Sequence, residues 1–303
     1  MKDYAFLFPG QGSQVVGMGK DLYEKSDLGK QIFNTADEVL AYPLSRICFE
    51  GPEEELKLTQ NTQPALLAVS YILYRLLGKE PGIAAGHSLG EYSALLCAGA
   101  ISFEDAVSLV HKRGKYMQEA VPVGKGAMAA VIGADIEVVK QAAEETEGVV
   151  NLANWNSASQ IVISGEKEAV EQAAEKIDAP KCVFLPVSAP FHSEMMMPAQ
   201  EKLAVDLENT TFQDLQYPVI NNIEAREMRD GNEARQALIK QVTSPVLWHT
   251  SILHLLQEKR VEKYCEIGSG AVLTGLLKRT ARQLDIKIES TSIQTLEDIK
   301  TIS

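Results

Sequence analysis

The chain has 303 residues, 45% hydrophobic and 23% charged, enough to bury a core in one large domain or two modest ones. A formal charge of -12 argues against nucleic acid, whose binding needs a basic face. No apolar stretch approaches membrane-spanning length, and four scattered cysteines (Cys48, Cys97, Cys182, Cys265) without a C-x-x-C read as reduced thiols of a cytoplasmic protein with no metal site.

Met1 to Phe8 carry one lysine and one aspartate before an apolar run too short for a signal-peptide core. Tyr4 to Phe8 is instead a predicted strand, ending in the turn Pro9-Gly10-Gln11-Gly12-Ser13-Gln14. Residues 29–40 have a helical pattern. A helix is predicted from Pro64, suited to a first turn, to Leu77, with Leu66, Leu67, Val69, Ser70, Leu73 and Leu77 on its core side. Next comes Gly82-Ile83-Ala84-Ala85, a short strand, then Gly86-His87-Ser88-Leu89-Gly90-Glu91, then the buried-helix pattern Tyr92 to Ala98. Strand, G-x-S-x-G turn and helix in that order expose a serine hydroxyl at a sharp bend, with a helix N-terminus behind it. Ser88 is therefore the candidate nucleophile. The alternation of elements predicts an α/β architecture with a mostly parallel sheet.

From Phe103 to about Glu119 another helix is predicted, with Ser102 and Asp105 as its capping box. Ala106, Val110 and Met117 share one narrow stripe, and Arg113 falls in it, while Lys112 and Lys115 point away. A guanidinium on an apolar face needs a partner. That partner is either an internal carboxylate or a carboxylate of the substrate, which arginine grips with two parallel hydrogen bonds.

The middle of the chain changes character. Met128–Ile132, Val149–Ala153, Gln160–Ser164 and Cys182–Val187 read as strands, and Glu137–Glu145 and Lys167–Ile177 as helices. The order βαββαβ is ferredoxin-like. The expectation is a small subdomain of residues 125–192 inserted into a core of residues 1–124 and 193–303, with a cleft between them for substrate. After Pro198 the core resumes, with a strand at Glu262–Ile267, the turn Gly268-Ser269-Gly270 and a helix through Arg279.

A serine nucleophile needs a base. Of the five histidines, His87 adjoins Ser88 but points away from it across a sharp turn. His111 is expected to be solvated, and His249 and His254, near helical starts, look structural, with His249 kept as the alternative base. His192, in the irregular loop Ser188-Ala189-Pro190-Phe191-His192-Ser193 at the exit of the small unit, faces the cleft and is the candidate base. No carboxylate sits in a recognisable triad motif, and a backbone carbonyl can set the imidazole tautomer equally well. An oxyanion hole needs two donors. The Leu89 N–H supplies one by the geometry of the turn, and the Gln11 N–H a second, provided the first strand lies beside the strand leading to Ser88.

These segments resemble the malonyl-CoA:acyl carrier protein transacylase family. The likeness rests on Phe8 to Gln14, Thr62-Gln63-Pro64-Ala65, Gly86 to Glu91, Arg113-Gly114, Asn154-Trp155-Asn156-Ser157, Pro190 to Ser193, and Glu266-Ile267-Gly268 before Leu273-Thr274-Gly275-Leu276, in the family's order across nearly the whole chain. The resemblance implies a hydrolase-like core with a ferredoxin-like insertion, Ser88 as nucleophile and His192 as base, with Gln11 and Leu89 at the oxyanion hole. It also implies Arg113 on the malonyl carboxylate, with Gln63, Asn156 and Phe191 as further substrate-binding residues. Phe191 is similar to the residue of malonyl-selective members, where branched-extender relatives carry a smaller one. A main-chain carbonyl near Ser244-Pro245-Val246-Leu247-Trp248 is expected to hold the histidine, in a motif where glutamine is common at the position of Leu247.

The activity so implied transfers malonyl from malonyl-CoA to acyl carrier protein through a malonyl-serine ester, with no permanently bound cofactor. A stand-alone acyltransferase loading a polyketide synthase is the neighbouring reading. A plain serine esterase is the distant one, because an esterase has no use for a cation on a buried face. For the acidic carrier protein, two basic clusters qualify as docking sites: Lys112 with Lys115, and Lys278, Arg279 and Arg282.

Overall fold

The computed structural model describes residues 1–187 and 189–302. Ser188 lies outside the described residues, so the expected histidine loop is described from Ala189 onward.

Among the described residues ten strands form two sheets: β1 (Tyr4–Phe8), β2 (Ile83–Gly86), β3 (Gly126–Ile132), β4 (Val150–Ser157), β5 (Gln160–Glu166), β6 (Lys181–Phe184), β7 (Val219–Ile220), β8 (Glu227–Met228), β9 (Lys263–Ile267) and β10 (Glu289–Ile293). The larger sheet has the order β10-β9-β1-β2-β7-β8 and is parallel except at the β7–β8 edge. Side chains alternate across it with the period of two that strands impose. Phe6, Phe8 and Ala84 enter a core shared with helices Thr59–Leu77, Leu89–Cys97 and Phe103–Glu119. Ala5, Leu7, Ile83 and Ala85 enter a second core with Trp248, Ile252, Leu273 and Leu277. Burial on both faces explains why β1 and β2 read as unbroken apolar runs.

The smaller sheet, order β4-β5-β3-β6, is antiparallel throughout. Its elements follow one another as strand, helix Ile136–Glu144, two strands, helix Lys167–Lys176 and strand. Both helices pack on one face, around Ala129, Val131, Ile161 and Ile163. The other face turns Ala130, Asn154, Asn156, Gln160 and Val162 toward the loop after β1, across a cleft of about 250 Å³. Two main-chain hydrogen bonds tie this unit to the core: Trp155 N–H donates to the Val246 carbonyl at 2.9 Å, and Val246 N–H to the Ala153 carbonyl at 2.8 Å. Among the described residues no helix is long and apolar enough to cross a membrane.

The predicted boundaries need one substantive correction. The helix expected to start at Pro64 starts at Thr59, which leaves Pro64 in its interior. Proline lacks the N–H that would satisfy the carbonyl four residues back. That carbonyl, of Gln60, lies 3.0 Å from His111 Nδ1 instead. His111, expected to be solvated, is thus half-buried and engaged where Pro64 leaves an acceptor open. Smaller shifts lie elsewhere: β4 runs on to Ser157, and β6 ends at Phe184 rather than Val187.

Candidate active site

Parallel pairing puts Phe8 opposite Gly86, so the loop after β1 and the turn after β2 leave the sheet side by side. This meets the condition set above for Gln11. His87 N–H donates to the Phe8 carbonyl at 3.1 Å, closing the two loops together. The glycines of the turn are required by contact: a Cβ on Gly86 would lie 1.9 Å from the Gly90 carbonyl oxygen, and one on Gly90 would lie 2.0 Å from that of Phe8. Ser88 takes φ 52° and ψ -104°, a strained conformation for a residue with a side chain. Such strain costs about 1–3 kcal/mol and persists only where the surroundings enforce it. Here Asn222 does so, its Oδ1 accepting from Ser88 N–H at 2.7 Å and its Nδ2 donating to the Gly86 carbonyl at 2.7 Å.

Ser88 Oγ lies 2.8 Å from His192 Nε2, and His192 Nδ1 lies 2.9 Å from the Gln241 carbonyl oxygen. A carbonyl only accepts, so Nδ1 carries the proton and Nε2 presents its lone pair to the Ser88 hydroxyl. Burial, and after it the neighbouring Arg113 charge, push the His192 imidazole down to about 3. It is therefore neutral at pH 7 and set to take a proton. His192 itself sits at φ 59°. This carbonyl lies three residues before the Ser244–Trp248 motif near which it was expected, and the Ser244 main chain also acts on the imidazole. Gln241 ends helix Gly231–Gln241, where the last carbonyls have no partner within the helix.

Arg113 is 1% exposed. Its Nη1 donates to Gln63 Oε1 at 2.9 Å, and its Nη2 donates to Gln241 Oε1 at 2.9 Å and to Ser88 Oγ at 3.0 Å. The guanidinium carbon stands 5.4 Å from the centre of the Tyr92 ring. Among the described residues no Asp or Glu forms an ion pair with it, and its Nε has no partner. Of the two partners weighed above, no internal carboxylate touches it among the described residues; buried Glu91 acts on it only through its field and through the Gln241 amide. A buried cation hydrogen-bonded to neutral oxygens, one of them Ser88 Oγ, has the chemistry to receive an anion attached to that oxygen.

The remaining predicted residues divide. Gln63 is drawn into the site through Arg113. Gln11 and Asn156 line the cleft between the units, with His87, whose Nε2 lies 2.8 Å from Asn156 Oδ1. Leu89 opens helix Leu89–Cys97, where the first N–H groups lack intrahelical acceptors. Phe191 is half-buried and packs against both the main core and the cleft face of the small sheet. His249 is buried with its ring 5.0 Å from that of Trp155, and His254 sits between Glu227 and Glu258 at 3.0 and 2.9 Å, both away from Ser88.

Three residues of the site were not anticipated: Asn222, Gln241 and Glu91. Glu91 is fully buried, and its Oε2 accepts from Gln241 Nε2 at 2.7 Å and from Asn222 N–H at 3.0 Å. Gln241 was within reach of the sequence, since Ala234, Ala237, Leu238 and Gln241 share one helical stripe, as Arg113 shares its own. Glu91 was also visible as a lone charge in an otherwise apolar helix. Asn222 follows a strand of only two residues and carries no such signal.

The acyl transferase domain family matches residues 5–299. The malonyl CoA-acyl carrier protein transacylase of Bacillus subtilis is 47% identical, over 98% of this chain and 98% of that protein. Its Escherichia coli counterpart is 48% identical, over 92% and 93%. Among solved structures, a type II PKS acyl-carrier protein in complex with its malonyl-transacylase matches with TM-score 0.93 and 43% identity, covering 98% of each chain. The acyl carrier protein S-malonyltransferase of Vibrio cholerae matches with TM-score 0.93 and 42% identity, over 99% of this chain and 100% of that one. From the serine turn to this near-complete correspondence, the chain belongs to the acyl transferase family, among its malonyl CoA-acyl carrier protein transacylases.

Proposed function

We propose that this acyl transferase moves a malonyl group from malonyl-CoA to the phosphopantetheine thiol of an acyl carrier protein by way of an ester on Ser88, supplying fatty acid synthesis in the cytoplasm. Ser88 Oγ attacks the thioester carbon while its proton passes to His192 Nε2. The Leu89 and Gln11 N–H groups hold the tetrahedral oxyanion. Its collapse breaks the C–S bond, and the proton on His192 goes to the departing CoA sulfur. The carrier thiol then attacks the ester, His192 taking its proton; collapse breaks the C–O bond to Ser88, and His192 returns the proton to the serine oxygen. Arg113, steadied by Gln63, grips the malonyl carboxylate. Asn156 and the loop of Gln11 line the path of the pantetheine arm, and Phe191 walls the acyl group. No bound cofactor takes part in these steps.

The observation that carries this reading is Arg113, a buried cation 3.0 Å from Ser88 Oγ and held by two amide oxygens. The order of elements supports a hydrolase-like core of residues 1–124 and 193–303 with a ferredoxin-like unit of residues 125–192. The likeness to a transacylase in complex with a type II PKS carrier protein supports a second reading of the pathway, in which the acceptor serves polyketide assembly. Offering carrier proteins of both kinds and comparing rates separates the two. The chemistry is tested by intact-protein mass spectrometry after mixing with malonyl-CoA and no acceptor. The native protein gains one malonyl unit, located to the peptide of Ser88, and Ser88→Ala gains none. Labelling elsewhere, or none in the native protein, would remove the mechanism.

A further inference from the structure

Glu91 carries a carboxyl at 0% exposure directly beneath the serine turn, yet the transfer steps above make no use of it. Its Oε2 takes the shortest of the bonds donated by Gln241 Nε2, at 2.7 Å; the others run to the Ser88 carbonyl at 3.1 Å and to Asn222 Oδ1 at 3.4 Å. The last of these acceptors is already engaged by Ser88 N–H at 2.7 Å. The other Glu91 oxygen, Oε1, is buried with no partner among the described residues. An amide is nearly symmetric in shape, so its orientation is set by the donors and acceptors around it. Glu91 is the strongest acceptor on the Nε2 side, and Arg113 is the donor on the Oε1 side.

We infer that Glu91 is a positioning residue for malonyl selectivity: it fixes the Gln241 amide so that Oε1 faces Arg113 Nη2, and thereby aims the guanidinium at the acyl group on Ser88. Without that acceptor the amide rotates, its NH2 meets the guanidinium, and of its two amide partners Arg113 keeps only Gln63. The role requires an acceptor, not a charge. Burial raises the Glu91 carboxyl to about 7, so a neutral form is populated near neutral pH, and this form accepts through Oε2 as the carboxylate does. The inference rests on the reading of Arg113 as the malonyl clamp.

The test compares the ratio of malonyl to acetyl transfer (kcat/KM from each CoA ester to one carrier protein) in four variants. Glu91→Gln keeps an acceptor in place and retains the native ratio within about twofold. Glu91→Met removes the acceptor at similar length, and Glu91→Asp keeps a carboxyl but retracts it by one methylene. Both lower the ratio about tenfold, the worth of one hydrogen bond to a charged group. Near-UV circular dichroism checks that each is folded, and Glu91→Asp serves if Glu91→Met does not fold. Arg113→Ala is the control for the underlying reading, and an unchanged ratio there would overturn both ideas. If Arg113→Ala lowers the ratio while a folded Glu91→Asp or Glu91→Met keeps it, the positioning role alone is wrong. A Glu91→Gln variant that loses selectivity as Glu91→Met does would also overturn it, because the charge would then be what acts.

Discussion

Replacing Arg113 by alanine separates the grip on malonyl from the chemistry at Ser88. The guanidinium offers its two terminal nitrogens to the acyl site, and both are now spent on neutral oxygens at 2.9 to 3.0 Å. Exchanging these for a carboxylate makes two charge-assisted bonds in parallel, each worth about 1.5–3 kcal/mol. In Arg113→Ala the Gln63 amide remains and recovers part of this by rotating its NH2 group toward the carboxylate, while Glu91 keeps the Gln241 NH2 turned away. The net loss for malonyl is therefore about 3 kcal/mol, or roughly a hundredfold in kcat/KM. Acetyl offers no carboxylate and loses nothing of this kind. The substitution also removes the cation that helps hold the His192 imidazole low, so the base becomes somewhat stronger for either substrate. Acetyl transfer should then change less than tenfold. The assay is the rate of appearance of acyl carrier protein product from each CoA ester, with a thermal melt to confirm folding. Arg113→Lys should rescue only in part, because a point charge cannot reproduce the two-pronged contact. A parallel fall for malonyl and acetyl in Arg113→Ala would mean that Arg113 only supports the fold, and the reasoning would be refuted.

His192→Ala should slow acylation and transfer alike by about a hundredfold or more, since one base serves both steps; near-normal turnover in stopped-flow measurements of either step would remove His192 from that role. The depressed imidazole also has a pH signature. The folded state binds a proton at His192 only as the pH approaches about 3, whereas the unfolded chain binds one near 6.5. Its contribution to stability is thus present above pH 6.5 and is lost as the pH falls from there toward 3. By the same shift, the acid limb of kcat/KM for malonyl-CoA should lie well below 6.5, and a limb at 6.5 in the free enzyme would contradict the buried neutral base. Of the two basic clusters considered for carrier-protein docking, Lys112 is already paired with Asp206 at 2.5 Å. Lys278, Arg279 and Arg282 are exposed on helix Val272–Gln283, whose Val272, Leu273 and Leu276 line the cleft. Reversing these three to glutamate should slow the carrier-protein step and flatten its salt dependence more than it alters the malonyl-CoA step; equal effects on both steps would count against docking there.

Local sequence by itself determined a good deal here. The apolar runs of β1 and β2, the G-x-S-x-G turn, the capped helix Phe103–Glu119 with Arg113 on its apolar stripe, and the alternation of small strands and helices in the middle all follow from periodicity and turn chemistry within a few residues. These patterns named Ser88, His192 and Arg113 as the residues of interest. What brings His192 and Arg113 within 3.0 Å of the Ser88 hydroxyl is tertiary: the parallel β1–β2 register that sets the serine turn, and the approach to it of a loop 104 positions away and a helix 25 positions away in the chain. The partners that fix their chemistry were set the same way. The carbonyl on His192 comes from the open end of helix Gly231–Gln241, and the orientation of the Gln241 amide depends on Glu91 from another helix and Arg113 from a third. A hydrogen-bond acceptor carries no sequence signature when it is a main-chain carbonyl, because every residue has one. Only the packing of helix ends against the sheet decides which of them faces the imidazole.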